Sequence, residues 1–231
     1  MRIKAPFQIV ILLLGASFSA FGQSAIPNGG VSASLPKVHF AFDHDAMEVP
    51  HYEIDVDADG HAIYRSSGKP DAQSGEVETL NKNFNLSPAT RTRIFELAKQ
   101  ADYFNGSFDY TKNKVAFTGK KTLSYSDKTR SGSTSFNWSE NKPITELASI
   151  FQGISATLEA EPRLRRLRRF DKLGLNAELA QLEQLANSGF LAEIGLIGDC
   201  LREIANDGAV MGMARKRAEH LLQMAASDAQ R

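Results

Sequence analysis

The stretch VPHYEIDVDADGHAIYRS, residues Val49–Ser66, decides the fold. Tyr52, Ile54 and Val56 alternate with His51, Glu53, Asp55 and Asp57; Ala62 and Tyr64 then alternate with His61, Ile63 and Arg65. Strict alternation marks a strand with one buried face and one wet face. Asp59-Gly60 supplies the turn, because both central positions of a tight hairpin turn tolerate or require positive φ. The hairpin is expected to seed a small, mainly antiparallel sheet.

The flanks extend that sheet. Val38, Phe40 and Phe42 alternate with His39, Ala41 and Asp43, which predicts a strand over Val38–Asp43. Glu76–Leu80 predicts a further short strand after the polar loop Ser66–Ser74. Ser87-Pro88 then reads as an N-cap followed by proline at the first helical position. Ile94, Leu97, Ala98, Ala101 and Phe104 give that helix one apolar stripe, and Asn105-Gly106 is expected to end it. Lys121–Ser126 and Ser133–Trp138 read as a second hairpin, and Pro143 opens a second helix carrying Leu147, Ile150, Phe151, Ile154 and Leu158. Strands, helix, strands, helix is the order of an α+β fold, with two helices packed on the sheet.

Glu161-Pro162 is expected to break the chain. Three helical patterns follow: Leu175–Leu185 before Asn187-Ser188-Gly189, Leu191–Ile204 before Asn206-Asp207-Gly208, and Val210–Met224. Their short turns predict antiparallel neighbours. At the other end, Arg2 and Lys4 precede the apolar run Ile9–Phe18 and the small residues around Ala20-Phe21-Gly22. That predicts an export signal with cleavage expected after Gly22, the apolar run being too short for a comfortable membrane span of about 20 residues. The expected division is a signal peptide over 1–22, a flexible leader over 23–37, an α+β domain over 38–161 and a helical region over 162–231.

Composition limits the function. Net charge is +0, so no global field draws in nucleic acid or an acidic membrane, and no nucleic acid is expected as a partner. Cys200 is the single cysteine, so no intrachain disulfide is possible in an oxidising compartment. Set among Leu196, Ile197, Leu201 and Ile204, it reads as buried and inert.

Four groups of residues invite a chemical reading. Asp55, Asp57, Asp59 and Gly60 spell the opening of a calcium loop, yet the twelfth position is Ser66 rather than a bidentate Glu and strands flank it. Those three aspartates remain calcium candidates, with a hairpin turn carrying solvated acids as the favoured reading. His39, His44, His51 and His61, with Asp43 and Asp45, have imidazoles suited to zinc or copper but lack a recognisable ligand spacing. Arg163, Arg165, Arg166, Arg168 and Arg169 surround Leu164, Leu167 and Phe170, a pattern that fits either an anionic surface or a solvated helix paired with Glu159, Glu161 or Asp171. Trp138, beside Asn137 and Ser139, is the candidate for ligand stacking among the aromatics of the middle of the chain.

Pro50-His51-Tyr52-Glu53-Ile54, Asp59-Gly60 and Tyr64, then the Ser-led helix, Tyr103-Phe104 and Tyr110, resemble a group of exported bacterial domains of unknown function. The resemblance covers about Val49–Ser155 and implies export and an α+β domain. An acidic residue often follows the tyrosine in that group. Ala116 stands near that place here, so no role for such an acid carries over.

No nucleophile elbow, phosphate-cradling loop or dinucleotide fingerprint occurs, and no cofactor is expected. The expected function is a non-enzymatic binding or interaction module, periplasmic or extracellular after cleavage, whose partner is a protein or a cell-envelope component. A small periplasmic hydrolase with a site hidden from sequence is the alternative, since catalytic geometry need not leave a motif. The apolar stripes of the helical region leave room for a homo-oligomer interface.

Overall fold

The computed structural model describes residues 35–68 and 78–228. The expected signal peptide, most of the leader and Glu76 lie outside them. The fold is α+β. Six strands form one antiparallel sheet: β1 Lys37–Asp43, β2 His51–Asp57, β3 His61–Gly68, β4 Glu78–Asn85, β5 Lys120–Ser126 and β6 Ser131–Phe136, in the order β4-β3-β2-β1-β5-β6. Helix α1, Pro88–Gln100, and the first part of α2, Lys142–Phe170, cover one face. Val38, Phe40, Tyr52, Ile54, Val56, Tyr64 and Leu123 are buried beneath them with Ile94, Leu97, Leu147 and Phe151. The opposite face carries His39, Asp43, His51, Glu53, Asp55 and Arg65, and hydroxyl pairs Thr122–Ser135 at 2.9 Å and Ser124–Ser133 at 2.8 Å.

The hairpin turn differs by one residue from the expected one. Val56 pairs with Ala62, so the loop is Ala58-Asp59-Gly60. The Gly60 N–H donates to the Asp57 carbonyl at 3.0 Å, and Gly60 alone has positive φ, 92°. This is a turn centred on Ala58-Asp59 with a left-handed glycine closing it, the common three-residue hairpin loop. The reason is parity. Directly opposed residues share a face, and only an odd loop sets inward Val56 against inward Ala62.

Pro162 brings a second correction. Helix α2 passes through it unbroken from Lys142 to Phe170. Proline inside a helix removes one backbone bond and crowds the preceding turn, at about 3 kcal/mol. Here Leu158 is buried in the sheet core, while Ala160 and Leu164 are buried in a second core made with α3 (Lys172–Asn187), α4 (Gly198–Ala205) and α5 (Gly212–Asp228). Full burial of a single leucine side chain is worth about 1.5–3 kcal/mol, so packing on both sides outweighs the proline. The cores change over within one turn of the helix, between Leu158 and Ala160.

The helical region begins at a corner one residue long, Asp171, whose carboxylate accepts from the N–H groups of Leu173 and Gly174. Arg163 meets Glu178 across that corner at 3.0 Å. Lys172 Nζ donates to the Ala209 carbonyl at 2.9 Å, and Glu183 further along α3 takes Arg217 and His220 of α5. α3 and α5 therefore run parallel, with α4 between them in the chain. Cys200 is buried in this second core, and burial pushes its thiol up to about 11.

Candidate functional site: a strained turn over an aromatic cleft

Helix α1 ends at Gln100, short of the expected Asn105-Gly106 stop. Ala101 caps it, and Asp102, Tyr103 and Phe104 follow with φ of 47°, 53° and 68°. Left-handed backbone costs a non-glycine residue about 1–2 kcal/mol, and a run of three persists only when its surroundings over-determine it. Phe104 is fully buried in the sheet core. Its N–H donates to the Ala101 carbonyl at 3.0 Å, and the Asn105 N–H donates to Asp102 at 3.0 Å. Gly132 of β6 lies so close that a β-carbon there would fall inside 3.0 Å of the Tyr103 carbonyl oxygen. The Tyr103 ring lies 4.7 Å from the Tyr125 ring, with the Arg130 guanidinium 4.3 Å from its centroid.

The turn forms one wall of a cleft of about 510 Å³. Phe95, Tyr103 and Tyr125 give it an aromatic lining, while Arg91 and Lys99 stand on α1 above it. Pro36 and Ala58 close the far side, joined by a hydrogen bond from the Ala58 N–H to the Pro36 carbonyl at 2.9 Å. The hairpin turn of the founding stretch is therefore part of the wall. Arg91 and Lys99 have no carboxylate partner among the described residues. Glu96, also in the lining, leans to Arg93 at 3.8 Å. Burial, then the hydrogen bond to Asp127, pushes the Tyr125 phenol up to about 12. The Tyr125 phenol is thus a donor at neutral pH, and it donates to Asp127 at 2.9 Å. The volume falls in the range of small-molecule sites, about 300–1,000 Å³.

A second polar cluster ties the sheet to α2. Tyr64 Oη and Ser66 Oγ both donate to Glu159 Oε1 at 2.6 Å, and Ser155 Oγ lies 3.0 Å from the Tyr64 oxygen. Burial, then the Glu159 charge, raises the Tyr64 phenol. The adjoining cavity, lined by Val49, Leu80, Pro162 and Arg163, holds about 90 Å³, too little for a substrate on the scale above. A third feature is Lys121, buried with its ammonium on the carbonyls of Gly119 at 3.1 Å and Asn137 at 2.9 Å. Burial lowers its pKa. Its contacts join the end of the loop before β5 to Asn137 just after β6.

The residues singled out from sequence do not converge. Asp55 accepts from His39 at 2.9 Å and pairs with Arg65. Asp57 accepts from the N–H groups of Asp59 and His61, each at 3.0 Å, which organises the turn. Calcium ligands would have to share one point, and these three aspartates do not. Among the described residues no three His, Cys, Asp or Glu side chains are placed to hold a metal. His39 and His51 each face an aspartate across the β1–β2 ladder, Asp55 and Asp43, and His61 lies 2.5 Å from Asn85. His44 packs at 5.3 Å from Phe117.

Of the five arginines, three are tied into the helical region: Arg163 to Glu178, Arg165 to Glu161 and Glu203, and Arg168 to Asp207 and Glu203. Arg166 and Arg169 are exposed and have no carboxylate partner among the described residues. Trp138 is exposed and meets Tyr110 edge-on at 4.8 Å. It borders a depression of about 220 Å³ with Lys121, Asn137 and Thr145.

The His39–Asp55 pair carries a pH prediction. The hydrogen bond to Asp55 raises His39 from 6.5, and the same bond, then Arg65, holds Asp55 down at about 2 against burial. A raised histidine stabilises fully below its unfolded value and loses that contribution as pH rises through its folded value. A depressed aspartate stabilises above its unfolded value near 3.8 and loses it as pH falls toward 2. Both contributions are therefore present from about pH 4 to about pH 6.5. Denaturant unfolding is expected to show about 1 kcal/mol less stability at pH 9 than at pH 6, and His39→Gln to remove that difference. An unchanged slope in His39→Gln would assign the pH dependence to another group.

Sequence reasoning missed Arg91, Lys99, Tyr103 and Tyr125 as a set. Tyr103 and Tyr125 belong to the aromatics of the middle of the chain, from which Trp138 is singled out, and nothing in Asp102-Tyr103-Phe104 announces left-handed backbone. Comparison with known proteins finds no family model that matches the chain and no curated relative.

Proposed function

We propose that the protein is an exported, non-enzymatic binding module, periplasmic or extracellular, whose cleft takes a ligand with an apolar or aromatic body and an anionic group. The observation that carries the reading is the left-handed turn Asp102–Phe104, which holds Tyr103 over the cleft opposite Arg91 and Lys99. Strain of this kind is concentrated at sites where a side chain must be held for a purpose. The aromatic walls offer stacking for the body, and the two cations offer charge-assisted hydrogen bonds to the anion. Export rests on the charged and apolar N-terminal run of the sequence.

The probe that fits this chemistry is 1-anilinonaphthalene-8-sulfonate, an aromatic body with one anionic group. The full chain is expected to bind it saturably, and Tyr103→Ala or the double change Arg91→Glu, Lys99→Glu to weaken binding about tenfold. The N-terminal apolar run is common to every variant and cancels in the comparison. Equal binding by the wild type and all cleft variants would overturn the reading.

A further inference from the structure

The parallel course of α3 and α5 brings two corners of the chain to one end of the helical region. One is the α2–α3 corner at Asp171. The other is the α4–α5 corner, held to the first by Arg168 with Asp207 at 2.9 Å and by Lys172 with the Ala209 carbonyl at 2.9 Å. Both corners point large apolar side chains into solvent. Phe170 is 73% and Leu173 74% exposed on the first, and Met211 is 41% and Met213 57% exposed on the second. Four such side chains on two adjoining turns are an unusual outlay of apolar surface, and contiguous patches of this kind mark interaction sites.

The charges around this tip that have no partner of opposite sign are mostly cations. Arg169 and Lys172 are exposed at the first corner, Arg166 is exposed one turn before it at the edge of the small cavity that Glu48, Glu78 and Glu159 also line, and Lys216 is exposed one turn along α5. The Arg169 guanidinium lies 4.9 Å from the Phe170 ring centroid. Two carboxylates stand at the tip, the exposed Asp171 and the half-buried Asp207, and both are engaged; the exposed Glu219 lies one turn beyond Lys216. Asp171 caps α3 through Leu173 and Gly174. Asp207 takes Arg168 and the Ala209 N–H. Glu203, one turn up α4, is held by Arg165 and Arg168. The cations at the rim are left without carboxylate partners among the described residues, while Asp171, Asp207 and Glu203 are engaged.

We propose that this tip docks onto an anionic lipid bilayer, with Phe170, Leu173, Met211 and Met213 entering the headgroup boundary and Arg166, Arg169, Lys172 and Lys216 contacting lipid phosphates. Apolar side chains flanked by cations are what interfacial binding requires, and each Lys or Arg near an anionic surface contributes about 1 kcal/mol. A second copy of the chain would bring the same excess of unpaired cations against this one, which charge complementarity disfavours. Among the described residues no helix is long and apolar enough to cross a membrane.

The test is vesicle flotation of the full chain with phosphatidylcholine alone and with phosphatidylcholine mixed with phosphatidylglycerol. The wild type is expected to float with the mixed vesicles and to lose that gain as salt rises. Arg166→Glu with Arg169→Glu, and separately Phe170→Ser with Leu173→Ser, should each lower the bound fraction about tenfold with unchanged circular dichroism. These side chains are exposed, so the variants are expected to fold. Equal flotation on both vesicle types overturns the proposal, as does unchanged flotation of both variants. A concentration-dependent dimer on light scattering that is lost in the Phe170 variant, without lipid binding, also overturns it and makes the tip a self-association surface. Dye binding in the cleft should survive both tip variants, which keeps failure here distinct from failure of the cleft reading.

Discussion

Gly132→Ala is expected to lower the unfolding free energy by about 3 kcal/mol, at the upper end of overpacking costs. The added methyl meets backbone rather than a flexible side chain. It would lie inside 3.0 Å of the Tyr103 carbonyl oxygen and 3.2 Å from the carbonyl carbons of Tyr103 and Phe104. Phe104 is fully buried and cannot withdraw without opening the sheet core. Gly132 pairs with Tyr125 in the β5–β6 ladder, so β6 cannot withdraw without breaking its register. Relief therefore has to come from the left-handed turn, and Tyr103 moves with it. Urea unfolding gives the stability, and dye binding to the folded variant gives the state of the cleft; both should fall. Ser133→Ala, on the open face one residue along, is the control and should change stability by less than about 0.5 kcal/mol. A Gly132→Ala loss below about 1 kcal/mol with dye binding intact would mean that the turn is not held by this contact.

The parts legible in sequence are those governed by local rules. Alternation along Val38–Asp43 and Val49–Ser66 gave the correct inward set, Val38, Phe40, Phe42, Tyr52, Ile54, Val56, Ala62 and Tyr64, all of them buried. Ser87-Pro88 opens α1 as its chemistry requires, with the Ser87 side chain accepting from the Thr90 N–H at 3.3 Å. Even the true hairpin loop was implicit, since the inward residues assigned to its two strands can only face each other across an odd number of residues. What stayed hidden depends on distant packing. Pro162 reads locally as a break, and only the two cores meeting on α2 make it tolerable. Ile94, Leu97, Ala98, Ala101 and Phe104 read as one continuous stripe, and all five are buried. Phe104 arrives through a left-handed turn packed against Gly132, far along the chain.

The same dependence on distant packing makes the arginine-rich segment read differently in three dimensions. As a string, five arginines look like one cationic surface. In the fold, Arg163, Arg165 and Arg168 each find carboxylates on α3, α4 or the loop after α4, and Arg165 also finds Glu161 one turn earlier on its own helix. Only Arg166 and Arg169 are left facing solvent without carboxylate partners among the described residues, beside Phe170 and Leu173. An exposed ion pair contributes about 0–1 kcal/mol, so these pairs fix register more than they hold the helices together. The second core does the holding.

Phe151→Ala is expected to cost about 4 kcal/mol and to weaken both cores together. Phe151 is fully buried and its ring stacks on Phe40 with centroids 5.0 Å apart and planes 6° from parallel. Removing a buried phenylalanine ring costs about 3–5 kcal/mol, because the cavity adds to the lost transfer energy. Helix α2 carries both cores, and further ties cross between them. Thr157 Oγ1 donates to the Ala192 carbonyl at 2.7 Å. Glu193 reaches back to the start of α1, taking Ser87 Oγ at 2.6 Å and the Ser87 N–H at 3.2 Å. Ala192 and Leu196 pack against the sheet core although they lie on the approach to α4. Fraying of the sheet face of α2 should therefore be transmitted to α3, α4 and α5. Trp138, the only tryptophan, reports on the end of β6, while far-UV circular dichroism is dominated by the helices. Urea unfolding followed by the two signals should coincide in the wild type and shift by the same amount in Phe151→Ala. A helical signal that persists after the Trp138 transition would divide the chain at the changeover near Ala160 into two independently stable units.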